Sequence, residues 1–237
     1  MPNPFFQFKQ FTIYHDKCAM KVCTDACILG AWFSTRAPQQ GAVLDIGSGS
    51  GLLMMMLAQR TPAEIHGIEI DMPSFQQLTE NISRHHWKER LKVYHGDART
   101  HQFNRPFDFI IANPPFFESD LHSSSPAEQV AKHSTLLTLD ELINAIDKNL
   151  TPDGAFGVLL PHHRWEYFDK LAALKGFHLI EKLFVRESLQ HPFFRAILHY
   201  RRSPHSQAPE YQLTIRQIDG SYTGEFVELL KDYYLYL

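Results

Sequence analysis

The run Val43-Leu44-Asp45-Ile46-Gly47-Ser48-Gly49-Ser50-Gly51 carries an acidic residue and three glycines out of a short apolar stretch. Glycine permits positive φ and close backbone approach, which a turn wrapped around a ligand requires. The dinucleotide fingerprint G-x-G-x-x-G fails here, because the sixth position from Gly47 is Leu52, and no Lys-Ser or Lys-Thr pair follows to make a P-loop. Glu69 comes 18 residues after Gly51, close to the ~20-residue offset at which a carboxylate at a strand end accepts the hydroxyls of a ribose. Asp71 is a second candidate, but its position before Met72-Pro73 equally suits a helix N-cap. Asp97 follows a third apolar run in Gly96-Asp97-Ala98, and Asn113-Pro114-Pro115-Phe116 closes a fourth. Two consecutive prolines must end strand hydrogen bonding, so the asparagine is held in a rigid turn.

Metal chemistry is not expected. Cys23 and Cys27 stand four apart without a C-x-x-C or a matching histidine pattern, and Cys18, Cys23 and Cys27 read as free thiols of a reducing compartment. The adjacent pairs His85-His86 and His162-His163 cannot place both rings on one helix face, and H-E-x-x-H is absent. Met54-Met55-Met56 reads as adaptable core.

Positioning these groups falls to an alternation of strands and helices. Ala42 to Ile46, Glu64 to Ile70, Leu91 to His95 and Phe107 to Ala112 are strand-like apolar runs. Helical stretches separate the first three, from about Ser50 to Arg60 and from Pro73 to about His86, and a further helix precedes them from Thr24-Asp25, read as N-cap candidates, to about Phe33. A helix over Leu139 to Asn149, a Pro-Asp-Gly turn at 152 to 154 and a strand at Ala155 to Leu160 continue the rhythm. A helix over 163 to 174, strands near 177 to 186, 194 to 201 and 211 to 216, and a helix from about 223 complete it. Such alternation implies a mostly parallel sheet covered on both faces, with ligands at the carboxyl ends of the strands. Every notable polar motif falls at such an end. The aromatic segment Phe5 to Tyr14 reads as an extended strand or hairpin, and residues 117 to 134 read as a mobile polar loop that orders on substrate binding.

With 237 residues, 44% of them hydrophobic, the chain suits one α/β domain with a modest addition and excludes fibrous or disordered classes. No apolar run approaches a membrane span and no signal-peptide core opens the chain, so a cytoplasmic protein without membrane contact is expected. The net charge of −3 gives no global argument for a polyanionic partner. Between Leu160 and Arg216, however, nine Lys or Arg face five Asp or Glu, and six of the 14 His fall in the same window. One cationic face toward nucleic acid is consistent with this asymmetry.

The D-x-G-x-G-x-G form of residues 45 to 51 resembles the first motif of class I S-adenosylmethionine-dependent methyltransferases. Asn113 to Phe116 resembles the tetrad of those members that methylate a planar amide or exocyclic amine, notably adenine N6 and the glutamine side chain. An amine conjugated to a ring is a poor nucleophile, so acceptors on its hydrogens localise density on nitrogen as it attacks. The resemblance makes the Asn113 oxygen and the Pro114 carbonyl those acceptors, with Pro115 holding the turn and Phe116 stacking on a flipped-out base. It assigns S-adenosylmethionine to Asp45, Gly47, Ser48, Gly49, Gly51, Glu69 and Asn113, with Asp97 at the exocyclic amine of the cofactor adenine. The implied fold is α/β: a Rossmann-like, doubly wound sheet of seven strands, mostly parallel with an antiparallel C-terminal strand. One domain over 1–237 is implied, with residues 1–23 as an N-terminal extension or hairpin over the cofactor side.

Over nearly its whole length the chain is similar to the bacterial tRNA1(Val) (adenine-N6)-methyltransferase family, which modifies adenine 37 beside the anticodon. Phe8-Lys9-Gln10-Phe11, Cys18 to Val22, Thr24-Asp25, Leu29-Gly30-Ala31-Trp32, Val43 to Leu53, Asn113 to Phe116 and Tyr233-Tyr234-Leu235 carry the similarity. In that family the segment matching Lys21 to Asp25 lies over the cofactor, which makes Thr24 and Asp25 candidate contacts. Cys27 stands where a smaller or aliphatic residue is usual, and Phe116 replaces the commoner Tyr. The implied partner is a tRNA anticodon arm bound by a monomer, with Lys9, Lys17, Lys21, Lys132, Arg164, Arg186, Arg195, Arg201 and Arg202 as candidate phosphate contacts. Three rivals stay open: a protein glutamine methyltransferase, which meets the same problem at an amide nitrogen; a DNA adenine methyltransferase, for which no separate target-recognition domain is present; and a non-catalytic RNA-binding module.

Overall fold

The computed structural model describes residues 3–115, 137–204 and 207–237. Phe116, the 117–134 loop and Lys132 therefore lie outside the described residues.

A short antiparallel hairpin opens the chain, β1 (Phe5–Gln7) with β2 (Thr12–Tyr14), as the aromatic alternation predicts. The next elements are α1 (Thr24–Ser34), β3 (Ala42–Ile46), α2 (Leu52–Ala58), β4 (Glu64–Glu69), α3 (Met72–Ser83), β5 (Leu91–His95) and β6 (Phe107–Ala112). They are followed by α4 (Leu139–Asn149), β7 (Leu150–Pro161), α5 (Trp165–Leu174), β8 (His178–Arg186), β9 (Arg195–Arg201), β10 (Glu210–Thr214) and α6 (Gly224–Leu230). The main sheet has the order β10-β8-β9-β7-β6-β3-β4-β5. All pairs are parallel except those of β9, which runs antiparallel to both β7 and β8.

Two features refine the expected sheet. It has eight strands rather than seven, because β10 adds in parallel to the outer edge of β8. The antiparallel member is internal, since β9 returns between β7 and β8. The chain passes from β8 to β9 through the short link 187–194, which only an antiparallel neighbour permits.

Central strands read as continuous apolar runs because helices cover both faces. Every residue of β3 is buried, and its side chains alternate: Val43 joins the core under α1, α2, α3 and α6, while Leu44 and Ile46 join the core under α4 and α5. All seven residues of α2 are buried, which explains why its sequence shows no polar face. Thr138 and Glu141 form a capping box that starts α4.

Three local expectations are corrected. Thr24 and Asp25 lie inside the first turn of α1, whose N-cap is Cys23 without a side-chain bond. The Pro-Asp-Gly segment at 152–154 is no free turn but an irregular part of β7, where pairing jumps from Phe107↔Leu150 to Phe109↔Ala155. Pro152 has no N–H to donate, so the ladder must step around it. The helix expected from 163 begins at Trp165, after a single 3-10 turn over His162–Arg164. Among the described residues no helix is long and apolar enough to cross a membrane.

Candidate active site

At the carboxyl ends of β3, β4, β5 and β6 lies a cavity of about 750 Å³, within the range of small-ligand pockets. Gly47 and Gly49 form part of its wall with φ of 75° and 53°, a left-handed backbone that disfavours any side chain. A Cβ built on either would meet nothing within 4 Å, so the space beside both glycines is open. Hydrogen bonds from Gly47 N (3.0 Å) and Ser48 N (3.2 Å) to the Ile68 carbonyl fix the turn against β4.

Glu69 ends β4 and borders the cavity. Its Oε2 accepts from Gly49 N and its Oε1 from Asp71 N, each at 2.8 Å, so one carboxylate ties the glycine turn to the start of α3. Asp71 caps α3 by accepting from Ser74 N at 2.9 Å, which settles its role as an N-cap although it too borders the cavity. Asp45 lies beneath the turn, fully buried, and neither carboxylate oxygen has a hydrogen-bond partner among the described residues. Burial, and after it the Glu69 charge, push its carboxyl up to about 8. Ser48 and Gly51 support the turn from within: the Ser48 hydroxyl donates to the Asp45 carbonyl at 2.9 Å, and Gly51, at φ 87°, is the N-cap of α2.

Asn113, Pro114 and Pro115 enter the same cavity from the end of β6. Asn113 is half-buried, and its side chain makes no hydrogen bond within the described residues, which leaves its amide for a ligand. Asp97 also borders the cavity, but is held by Arg99: Oδ1 accepts from Arg99 N (2.9 Å) and Nε (2.9 Å), and Oδ2 from Nε (2.8 Å). These bonds keep its carboxyl below the usual aspartate range.

Thr24 and Asp25 do not border this cavity. Asp25 pairs instead with Arg195 of β9 at 2.7 Å. The N-terminal segment does reach the cavity, through Cys18, Ala19 and Met20. Sequence reasoning missed Arg99 and Leu137, which also border it. An Asp-x-Arg spacing at a strand end was the available sign of the first; nothing local marks the second. Among the described residues no group of three or more His, Cys, Asp or Glu is placed to hold a metal ion.

An open sheet in this strand order with one reversed member is the fold of the class I S-adenosylmethionine-dependent methyltransferases. The solved structures similar to it include a predicted O-methyltransferase from Agrobacterium tumefaciens, with TM-score 0.67, 16% identity and coverage of 88% of this chain and 96% of that one. Another is the glycopeptide N-methyltransferase MtfA complexed with S-adenosylmethionine, with TM-score 0.55, 11% identity and coverage of 75% and 87%. A protein of Dyadobacter fermentans named tRNA1(Val) (adenine(37)-N6)-methyltransferase is 40% identical over 98% of both chains. The chain belongs to the methyltransferase small domain family, matched over residues 26–177, and within it to the tRNA1(Val) (adenine(37)-N6)-methyltransferases.

The residues present fit the cofactor. Two glycines leave open space where side chains would intrude, Glu69 presents a fixed carboxylate beside them, and the partnerless buried Asp45 is a group that a cationic ligand nearby would stabilise.

Proposed function

We propose that the protein transfers a methyl group from S-adenosylmethionine to the exocyclic N6 amine of adenine 37, beside the anticodon, in tRNA1(Val). The observation that carries this reading is the opening of the rigid Asn113-Pro114-Pro115 turn into the same cavity as Gly47, Gly49 and Glu69. The bound cofactor supplies an electrophilic sulfonium methyl. Gly47 and Gly49 admit it by close backbone approach, Glu69 accepts its ribose hydroxyls, and Asp97 accepts from its adenine amine. The Asn113 side-chain oxygen and the Pro114 carbonyl accept the two hydrogens of the target amine. Two acceptors in fixed positions orient the nitrogen lone pair and stabilise positive charge as it develops there. Methylation makes the nitrogen acidic, so its proton leaves without a dedicated base.

The tRNA approaches along the rim formed by the carboxyl ends of the parallel strands, where one monomer suffices and where a cytoplasmic substrate is met. Most of the basic residues expected to contact phosphate are engaged internally. Lys17 pairs with Glu80, Arg195 with Asp25 and Arg202 with Asp147, while Lys9 donates to the Lys231 carbonyl and Lys21 to that of His15. Arg164, after β7, Arg186, ending β8, and Arg201, ending β9, have no carboxylate within ion-pair distance among the described residues; Arg186 Nε donates to Thr214 Oγ1 at 2.9 Å, and Arg201 lies opposite Ala155 and His178, away from the carboxyl ends of β7 and β8. Arg164 and Arg186 each lie over an aromatic ring, Tyr167 at 5.1 Å and Phe193 at 5.0 Å. These two are the phosphate contacts the reading selects. Changing either to Ala is expected to reduce the salt dependence of tRNA binding by about one phosphate's share, with cofactor affinity unchanged.

The deciding experiment incubates purified protein and Asn113→Ala with radiolabelled S-adenosylmethionine and total tRNA from a strain lacking the gene. Label in N6-methyladenosine is expected from the wild type, reduced about 10²- to 10³-fold in the variant. Label in a protein fraction instead would replace adenine by glutamine as the acceptor and overturn the proposal.

A further inference from the structure

Arg99 belongs to none of the sequence motifs, yet it organises one wall of the cavity. Its guanidinium grips Asp97 through Nε and through Nη2, the latter at 2.7 Å from Oδ2, while its backbone N–H bonds Oδ1. Nη1 of the same guanidinium reaches Glu141 Oε1 at 3.1 Å. Glu141 is itself fixed, since its Oε2 accepts from Thr138 N (2.9 Å) and Thr138 Oγ1 (3.0 Å) in the capping box of α4. A planar fork thus joins the loop after β5 to the first turn of α4, and Leu137, one residue before that box, borders the same cavity.

The bonding pattern has a directional consequence. An ionised carboxylate offers about four acceptor positions and no donor. Three N–H groups of Arg99, with Nε shared between both oxygens, fix the plane of the Asp97 carboxylate, and the part of it that stays exposed at the cavity leaves a position for a ligand donor. An exocyclic amine can fill that position; an oxo group brings a lone pair and is repelled. Without Arg99 the carboxylate stays ionised but is free to rotate, so no oxygen is held toward the amine.

We propose that Arg99 is a positioning residue that fixes the orientation of the Asp97 carboxylate, making the site selective for an adenine amine, and that Glu141 braces it from α4. This rests on the reading of Asp97 as the contact for the cofactor adenine. The side chains of Asp97 and Arg99 are each 25% exposed, so the pair is partly shielded and its orientation matters more than its charge alone.

Calorimetric binding of S-adenosyl-L-homocysteine and of S-inosyl-L-homocysteine, in which oxygen replaces the amine, tests this without turnover. Wild type is expected to prefer the adenosyl ligand by about 10- to 100-fold, the range of a charge-assisted hydrogen bond. In Arg99→Gln the adenosyl affinity should fall about tenfold while the inosyl affinity barely moves, so that the preference collapses. Arg99→Lys should recover only part of it, because an ammonium keeps the charge without the fork. Glu141→Gln, which retains a capping-box residue, should weaken adenosyl binding about two- to threefold with an unchanged unfolding midpoint. Equal weakening of both ligands in Arg99→Gln, or no weakening, overturns the role of Arg99. A wild type that binds both ligands equally overturns the Asp97 contact itself, and a wild type that binds neither overturns the cofactor site.

Discussion

Asp45 and Glu69 are carboxylates on neighbouring strands with opposite circumstances. Glu69 is held by two backbone N–H groups, whereas Asp45 is buried with none. Because burial lifts the Asp45 carboxyl from 3.8 to about 8, the folded protein keeps a proton there that the unfolded chain has already released. Stability from this group is therefore full below the unfolded value and declines as pH rises toward 8. Asp45→Asn removes the titration. The unfolding midpoint of the ligand-free variant should gain on that of the wild type between pH 5 and 8.5, by on the order of a few kcal/mol at most. Parallel pH curves for the two proteins would show that Asp45 is not proton-linked to folding. At Glu69 the expected outcome is a split. Glu69→Gln keeps an acceptor for one backbone N–H, while Glu69→Ala strands both Gly49 N and Asp71 N. S-adenosylhomocysteine binding should fall in both, and the unfolding midpoint should fall further in the alanine variant, by about 1–3 kcal/mol.

At the scale of elements, two contacts decide how helices seat on the sheet. Gly157 of β7 lies under the Phe33 ring of α1, where a Cβ would come within 2.3 Å of ring carbons. An aromatic ring buried on all sides cannot turn away, so Gly157→Ala should destabilise by about 1–3 kcal/mol in urea unfolding. A second change, Phe33→Leu, should recover part of that loss; strict additivity of the two would refute the steric account. Thr138→Ala removes the acceptor for Glu141 N and should cost about 1 kcal/mol. The legibility of these elements in the sequence follows the same physics. A helix from about Leu139 to Asn149 was legible because an amphipathic face marks it locally, and the structure adds the capping box that starts it. β7 was underestimated at its start, since Pro152 and Gly154 look like a turn until β6 supplies a partner strand.

In the whole molecule, the N-terminal hairpin and the C-terminal segment close on each other. Lys9 N donates to the Tyr233 carbonyl at 2.8 Å, Phe8 bridges to Tyr234, and the Tyr233 hydroxyl donates to the Met56 carbonyl at 3.1 Å. Asn81 of α3 joins the hairpin to the glycine turn, donating to the Tyr14 and Ser50 carbonyls at 2.8 and 2.9 Å. Tyr233→Ala should therefore cost about 3–5 kcal/mol of stability. It should also open the 5–14 hairpin to proteolysis and weaken S-adenosylhomocysteine binding, because Cys18 to Met20 follow that hairpin into the cavity. A hairpin that stays protected in this variant would detach the C-terminus from the site.

The strand and helix rhythm, the glycine turn, Glu69 at its strand end and the Asn-Pro-Pro turn were all determined by the sequence alone. Each depends on apolar periodicity or on the φ limits of glycine and proline, which act over a few residues. Only the tertiary structure decided the rest. It turned Asp25 toward Arg195, 170 positions away, and carried Arg99 to Glu141, 42 positions on. Among the described residues it paired four of the nine Lys and Arg between Leu160 and Arg216 with carboxylates, and it set the expected strand near 211 to 216 on the outer edge of the sheet as β10. Ion pairs and strand neighbours of that separation are set by how the sheet is ordered, and no local pattern of residue types encodes which distant charge will meet which.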